Sequence, residues 1–252
     1  QTIRSLCEPE AKFWTPYGAT ECLPVAVIEG EQLSLTRAGT EQGFGTCIGW
    51  PLPENSVRLI QIRDEAIADW HDDLLVAQGE IGEVTVAGPS ATDSYFRREQ
   101  ANQLGKIREV LPQGIERIVH RMGDLAWQDS QGRLWFCGRK SQRLQTGDGL
   151  LGTENVEPIF NVHPAVKRSA LVGIGTYGEQ KPVLCIEREP ANGMPEQQLR
   201  AELLAIAGTY RHTQHIDTFL IHPGFPVDIR HNAKIGREQL TLWATQKLAQ
   251  AS

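Results

Sequence analysis

The sequence lacks the features that mark several classes of protein. No apolar run approaches the ~20 residues that a membrane-spanning helix needs, so no membrane span is expected. The 25 Lys and Arg residues are scattered and the net charge is −6, which argues against a nucleic-acid-binding face. There is no low-complexity tract. These absences favour a globular protein with no membrane span and no nucleic-acid partner.

Paired cysteines are also missing. The five cysteines lie far apart, with no CxxC motif: Cys7, Cys22, Cys47, Cys137 and Cys185. An odd number of separated cysteines is typical of reduced thiols, so a cytoplasmic location is expected. The spacing argues against a zinc site or a catalytic thiol.

The length and composition fit an ordinary globular fold. The chain has 252 residues, 40% of them hydrophobic, which suggests one large domain or two of ordinary size. Residues 22–138 read as strands and turns, and the segment 22–55 as rich in loops. From Gly152 onward, strands alternate with helices. The expected fold is therefore α+β, with a strand-rich domain over 1–139 and a small α/β domain over 140–252.

Helices are predicted from capping residues and from apolar stripes. Ile3 and Leu6 have helical spacing near the start of the chain, and Thr153 is the expected N-cap of a later helix. Two further helices are predicted from Pro195 and near the C-terminus. Their apolar positions are Leu199, Leu203 and Ile206, then Leu240, Trp243 and Leu248.

The stretch 120–152 organises the chain. Residues 124–136 read as two short strands joined by a tight turn, which would bring Asp124 near Arg139. A carboxylate accepts protons from a sugar diol, and a guanidinium offers a planar fork of donors to an anion. The alternative is a surface hairpin with a structural Asp–Arg salt bridge.

Two other segments carry polar groups that suit chemistry. The short apolar run from Phe13 to Pro16 reads as a strand that leads into a glycine turn, Tyr17 to Glu21. In that turn the Thr20 hydroxyl and the Glu21 carboxylate suit Mg²⁺ and phosphate oxygens. The alternative is an ordinary strand-end turn. Lys234 lies in a polar loop, where a lysine is usually only solvated.

Five segments, in order, resemble the AMP-forming acyl-CoA synthetase, adenylation-domain and luciferase superfamily. The segments are YGATE at 17–21, GTCIGWPLP at 45–53, GEIGEVTVAGP at 79–89, GDL through to GR at 123–139 and KIGR at 234–237. They resemble the motifs YGxTE, GxxGxPLP, GEIGEVxVxGP, GDL…DG.L.F.GR and the end of PKTxxGKIxR. The resemblance covers nearly the whole chain.

The resemblance implies roles for the matched residues of the strand-rich domain. Tyr17, with Gly18 beside it, would lie against adenine, and Asp124 would hold the ribose hydroxyls. Thr20 would meet phosphate, and Glu21 would help to hold Mg²⁺. Thr20 and Glu21 would both be catalytic.

The resemblance also implies roles around the small domain. Arg139 would contact the nucleotide where the domains meet, and Lys234 would be the catalytic lysine. Ser141 matches the hinge about which the small domain rotates, although the superfamily normally has Asp or Lys there. Residues 1–139 would then be the C-terminal part of the large AMP-binding domain, and 140–252 its mobile lid.

The implied reaction joins a carboxylate to ATP and gives an acyl-adenylate, with ATP or AMP and Mg²⁺ bound. The superfamily's phosphate loop, TSGSTGxPKG, has no match in this chain, which also begins at Gln1. We therefore expect the C-terminal portion of a larger enzyme, inactive by itself.

Within the superfamily, TPYGATECLPVAVIEG and VDIRHNAKIGRE resemble the β-lactone synthetases of bacterial long-chain olefin biosynthesis, a group often labelled long-chain fatty-acid–CoA ligases. That resemblance implies a β-hydroxy fatty acid as substrate, with other pathway enzymes as possible partners. Three alternatives stay open: a long-chain acyl-CoA ligase that uses CoA, an adenylation domain that loads a carrier protein, and a non-catalytic piece that binds nucleotide or another protein.

Overall fold

A computed structural model describes residues 7–8, 10–228 and 231–251. The chain forms two compact units. The first contains residues up to Arg37 together with Thr46–Cys137, and the second contains Ala38–Gly45 together with the chain from Gly138 onward. The expected helix around Ile3 and Leu6 lies outside the described residues. The functional division predicted at 139/140 stays a prediction.

The described part of the first unit is built on one eight-stranded sheet, in the order β1-β2-β3-β8-β7-β5-β4, with β6 paired to β7. The strands are β1 (Trp14–Ala19), β2 (Cys22–Glu29), β3 (Thr46–Pro51), β4 (Ser56–Ile60), β5 (Gly82–Ala87), β6 (Lys106–Val110), β7 (Glu116–Gln128) and β8 (Leu134–Arg139), the last ending in the second unit. The helices are α1 (Gly30–Glu41), which crosses between the units, α2 (Glu99–Gly105) and a short 3-10 turn, Asp72–Leu74.

The predicted hairpin is confirmed as β7 and β8. Asp129 closes its turn, because its carboxylate accepts the backbone N–H of Gln131 and of Arg133, each at 2.9 Å. The indole N–H of Trp135 also donates to Asp129, at 3.0 Å. Trp135 stacks on Trp127 with the ring centroids 5.7 Å apart, so the turn and the paired strands support each other.

The prediction of a loop-rich segment over 22–55 was wrong. The structure has β2, then the twelve-residue helix α1, then β3. Gly39 was read as a loop residue, but it lies within α1, and Thr36 is the one buried residue of this helix. Because α1 has almost no apolar stripe, its sequence carries no helical periodicity to recognise.

The second unit contains a three-stranded sheet, β11-β12-β13, with helices on both faces. The strands of the second unit are β9 (Leu144–Thr146), β10 (Gly149–Leu151), β11 (Val166–Ile174), β12 (Lys181–Arg188), β13 (Thr218–His222), β14 (Val227–Asp228) and β15 (His231–Ile235). Its helices are α3 (Thr153–Asn161), α4 (Glu196–Ala207), α5 (Arg237–Ala251) and a 3-10 turn, Lys140–Gln142. The expected α+β class is confirmed.

Each face of this sheet has its own core. Leu171 and Leu184 point toward α3 and α4, where they pack with Phe160 and Leu203. Alternate strand positions point to the other face and pack against Leu240 of α5. The apolar stripes predicted for α4 and α5 are therefore confirmed as core. The predicted N-cap was wrong by one residue, because Gly152 occupies that position and Thr153 is the first helical residue.

Glu187, on β12, is held by two cations. Its carboxylate accepts from Lys167 Nζ at 2.6 Å and from Arg168 Nε at 2.7 Å, and also from the backbone N–H of Phe225 at 3.0 Å. Burial alone would raise the pKa of Glu187, but these hydrogen bonds and charges lower it from 4.5 to about 2.

Replacing Glu187 with Gln is expected to lower the free energy of unfolding of the second unit by about 1–2 kcal/mol at pH 7, since both cations are partly exposed. A lowered folded-state pKa stabilises the fold above the unfolded pKa. That stabilisation is lost as the pH falls from 4.5 toward about 2. Denaturant titrations of the wild type and the variant at pH 7 and at acid pH measure the loss of stability at each pH. Glu196→Gln, at an exposed position on α4, is the control. An equal loss at both pH values would contradict the prediction.

Among the residues that the structure describes, no helix is long and apolar enough to cross a membrane. No disulfide joins the cysteines in this part of the chain, and four of the five are buried.

Candidate functional site

Tyr17 to Glu21 lie at the tip of the β1–β2 hairpin. Ala19 pairs with Cys22, so Thr20 and Glu21 form the turn between the strands. Thr20 is exposed. A Cβ atom on Gly18 would lie 2.5 Å from the carbonyl oxygen of Cys22, so only glycine lets the hairpin close at this point.

The structure brings Tyr17 and Asp124 together. The Tyr17 hydroxyl donates to Asp124 Oδ2 at 2.6 Å, although the two residues are 107 positions apart. Asp124 is 2% exposed and follows Gly123, which has a φ of 67°. The Tyr17 ring also meets Phe136 of β8, with the centroids 6.2 Å apart. An aromatic face therefore lies beside a carboxylate whose position is fixed by a hydrogen bond.

Glu21 is held by Tyr95, whose hydroxyl donates to Oε1 at 2.9 Å. Burial alone would raise the pKa of Glu21. The hydrogen bonds from its own backbone and from Tyr95, together with nearby cations, lower the pKa below 4.5. Burial, and then the Glu21 carboxylate, raise the pKa of Tyr95 to about 12. Its hydroxyl therefore keeps its proton and donates at neutral pH. Glu21 is therefore ionised near neutral pH.

Lys106 and His120 lie next to this pair. Lys106 is 8% exposed and its ammonium donates to the backbone carbonyl and, at 3.0 Å, to the hydroxyl oxygen of Thr92. Burial lowers the pKa of Lys106. His120 is 2% exposed, its Nδ1 lies 3.0 Å from the carbonyl oxygen of Gly105, and burial and then Lys106 lower its pKa. His120 is thus neutral near pH 7.

Sequence reasoning missed Tyr95, Lys106 and His120. Tyr95 was given no role, although its hydroxyl donates a hydrogen bond to Glu21. Nothing in the sequence links Tyr95 to a carboxylate 74 positions earlier. The contact becomes visible only in the folded chain.

Glu21 suits a magnesium ion that is held in part by a substrate. The described residues contain no group of three or more His, Cys, Asp or Glu side chains that could hold a metal ion. Mg²⁺ is usually bound through one or two carboxylates together with substrate phosphates. One oxygen of the ionised Glu21 is oriented by Tyr95, beside the exposed Thr20 hydroxyl, so the residues fit such an ion.

The other predicted residues lie in the second unit. Arg139 is exposed at the end of β8, and Ser141 is exposed in the 3-10 turn that follows. Lys234 lies on β15 with its side chain exposed. Lys234 and Ser141 line one cavity of about 370 Å³, together with Arg143, Gln180 and Arg237. The predicted approach of Asp124 and Arg139, which belong to different units, stays a prediction.

No protein-family model matches the chain. Among curated proteins, the chain is 56% identical over 246 residues to the olefin β-lactone synthetase of Xanthomonas campestris, and 56% identical over 248 residues to that of Stenotrophomonas maltophilia. These matches cover 97% and 98% of the chain but only 44% and 45% of the relatives. A long-chain-fatty-acid–CoA ligase of Salmonella typhimurium is 27% identical over 177 residues, which is 69% of the chain and 27% of the ligase.

Solved structures share the fold. The o-succinylbenzoate CoA synthetase of Bacillus subtilis, in complex with ATP and a magnesium ion, aligns with a TM-score of 0.65 at 22% identity. The alignment covers 91% of this chain and 41% of that one. The chain thus spans less than half the length of each of these four proteins. The chain is similar over nearly its whole length to olefin β-lactone synthetases, and it has the fold of the matching part of an adenylate-forming CoA synthetase.

Proposed function

We propose that this chain is part of an ATP-dependent, AMP-forming enzyme that converts a β-hydroxy fatty acid into a β-lactone. The observation that carries the proposal is the 56% identity, over 97% of the chain, to an olefin β-lactone synthetase. Because the chain spans 44% of that relative, the proposal concerns a longer protein that contains it, and the chain alone is expected to be inactive.

The nucleotide would bind against Tyr17 and Asp124. The Tyr17 ring, with Gly18 beside it, offers a flat apolar face to adenine. The Tyr17 hydroxyl already fixes Asp124 Oδ2, which leaves the carboxylate oriented to accept the ribose hydroxyls. Arg139 would contact the same nucleotide where the two domains meet.

In the first step, the substrate carboxylate attacks the α-phosphorus of ATP in line. The new bond joins the carboxylate oxygen to that phosphorus, and the bond to the β-phosphate oxygen breaks to release pyrophosphate. An anion approaches a polyanion, so the barrier falls when cations offset the developing charge. Lys234 would supply that charge at the carboxylate and α-phosphate.

Thr20 and Glu21 would act on the phosphate side. The Thr20 hydroxyl would donate to a phosphate oxygen, and the ionised Glu21 would help to hold Mg²⁺. When bound, Mg²⁺ neutralises phosphate charge and orients the phosphates for in-line displacement. Tyr95 keeps the Glu21 carboxylate in one orientation.

In the second step, the substrate's own β-hydroxyl attacks the acyl carbonyl carbon. The ester C–O bond forms, the bond to AMP breaks, AMP leaves, and the hydroxyl proton passes to solvent. An internal nucleophile is held close by its own chain, so no second substrate site is needed. Rotation of residues 140–252 about Ser141 would withdraw Lys234 between the two steps.

The proposal is tested by giving the full-length protein a β-hydroxy fatty acid and Mg²⁺–ATP, with and without CoA. A product that has lost one water relative to the acid, formed without CoA together with AMP and pyrophosphate, supports it. A thioester that forms only with CoA favours the acyl-CoA ligase, to which the Salmonella relative points. Binding of AMP in calorimetry with no turnover favours a non-catalytic nucleotide-binding protein.

Replacing Asp124 with Asn in the full-length protein is expected to weaken AMP binding by roughly tenfold to a hundredfold. The substitution keeps the shape but removes the charged acceptor, and hydrogen bonds to charged groups contribute about 1.5–3 kcal/mol. Calorimetry with AMP measures the change. Asp69→Asn, in an exposed ion pair with Arg108 on the same unit, is the matched control. Equal affinities for the two variants would remove Asp124 from the nucleotide site.

A further inference from the structure

The strand that carries Lys234 is weakly supported by its own hairpin. Within the part of the chain that the structure describes, β15 pairs only with β14, which is two residues long. Lys234 itself is exposed. Ile235, the next residue, packs against the core beneath α5, and the N–H of Gly236 donates to the carbonyl of Pro226 at 2.7 Å.

A stronger attachment follows at Arg237, the first residue of α5. Its guanidinium binds both carboxylate oxygens of Glu157 on α3, at 2.5 Å and 2.8 Å. It also donates to the carbonyl of Leu171 on β11 at 3.2 Å. Glu157 in turn accepts the N–H of Leu171 at 2.8 Å. A helix, a strand and the end of the Lys234 hairpin therefore meet at one bidentate pair.

This pair is buried, with 15% of the Arg237 side chain and 8% of the Glu157 side chain exposed. A buried ion pair is a poor source of stability, because replacing both partners with apolar residues is often neutral or stabilising. What a planar, bidentate pair provides is a fixed geometry. Arg237 is three residues from Lys234, so fixing Arg237 keeps the lysine backbone within about 11 Å of one point.

We propose that Arg237 is a positioning residue for Lys234, and that its bidentate pair with Glu157 holds the Lys234 hairpin in one place. The catalytic consequence rests on the proposed function, in which the ammonium of Lys234 must meet the carboxylate and the α-phosphate. A misplacement of about 1 Å can slow such a reaction by roughly a hundredfold.

The experiment uses two variants of the full-length protein. Arg237→Lys keeps the positive charge but loses the planar guanidinium that binds both oxygens of Glu157. The double variant Glu157→Leu/Arg237→Met removes the pair without leaving a buried charge. Leu203→Ala is the matched control, because Leu203 is a buried core residue of α4 and its truncation destabilises the same unit. All variants are compared where circular dichroism shows them folded.

The first readout is amide hydrogen exchange in residues 226–236, which needs no activity. Exchange is expected to be about tenfold faster or more in both Arg237 variants, because the hairpin then opens locally. In Leu203→Ala it should match the wild type. Unchanged exchange in both Arg237 variants would overturn the proposal.

The second readout is the rate of adenylate formation. The kcat is expected to fall by about tenfold or more in both Arg237 variants while the KM for ATP stays within about twofold. If the double variant regains full stability and full kcat, Arg237 is only structural and the proposal fails. If the wild type forms no adenylate, the proposed function fails, and the exchange comparison still decides whether Arg237 fixes the hairpin.

Discussion

Replacing Lys234 with Ala in the full-length protein is expected to slow acyl-adenylate formation by about a hundredfold to a thousandfold. That is the usual effect of removing one group that stabilises charge developing in a transition state. The ammonium of Lys234 would offset negative charge that spreads over the carboxylate and the α-phosphate as they react. ATP–pyrophosphate exchange in the presence of the acid measures this step directly.

The effect should fall on kcat rather than on the KM for ATP. An interaction made mainly in the transition state lowers kcat and kcat/KM together, whereas one made equally with the bound substrate changes KM alone. Tyr17 and Asp124 would supply the ground-state binding of the nucleotide, so Lys234→Ala should leave AMP affinity nearly unchanged in calorimetry.

Lys247→Ala provides the matched control. Lys247 is an exposed lysine on α5 of the same unit, so its removal changes the net charge by the same amount. It is not among the residues that line the cavity containing Lys234 and Ser141. Equal rates for the two variants would remove Lys234 from the chemistry.

Local patterns in the sequence were enough to predict several elements. The β7–β8 hairpin was predicted because a turn sequence separates two apolar segments, and Asp129 has the short acceptor side chain that closes such a turn. The helices α4 and α5 were predicted because Leu203 and Leu240 belong to stripes of helical period. Each of these signals lies within about a dozen neighbouring residues.

Other features depend on contacts between distant residues. β3 changes partners along its length, because Trp50 pairs with Val27 of β2 and Cys47 pairs with Trp135 of β8. Tyr17 of β1 reaches Asp124 of β7, although these two strands are not neighbours in the sheet. No local pattern predicts that approach.

The candidate site was predicted as a set of residues but not as a geometry. The motifs singled out Glu21 and Lys234 as candidate residues. Tyr95, which binds Glu21, was given no role, and Arg237, which we propose positions Lys234, was counted only as part of the KIGR segment. Tyr95 is 74 positions from Glu21, and Arg237 is 80 positions from Glu157. A supporting contact of this kind is set by the packing of strands and helices.

Replacing Arg121 with Ala is expected to destabilise the first unit by about 3–5 kcal/mol. Arg121 is a buried cation, with 2% of its side chain exposed, and it faces Glu83, with 1% exposed, at 2.6 Å. Breaking such a pair removes the buried cation that faces the Glu83 carboxylate in the core, which is strongly destabilising. Arg121 also donates to the backbone carbonyls of Arg63, Glu65 and Leu104.

Denaturant unfolding followed by tryptophan fluorescence measures this effect, because Trp243 is the one tryptophan of six outside the first unit. The double variant Arg121→Met/Glu83→Leu should recover much of the loss, since it leaves no charge buried. Arg108→Ala, in an exposed pair with Asp69, should change stability by less than about 1 kcal/mol. A similar loss for Arg108→Ala and Arg121→Ala would contradict the prediction.

Removing the Arg121 side chain should also affect the proposed nucleotide site. Arg121 lies on β7 three residues before Asp124, and its bonds to three backbone carbonyls fix the strand at that point. We expect Arg121→Ala to weaken AMP binding even where most of the protein is still folded, because local opening of β7 would separate Asp124 from Tyr17. Weaker AMP binding could come from loss of the ion pair or from loss of the carbonyl contacts, and the double variant Arg121→Met/Glu83→Leu separates these two causes. If it recovers stability while AMP binding stays weak, the carbonyl contacts of Arg121 position Asp124 independently of the ion pair.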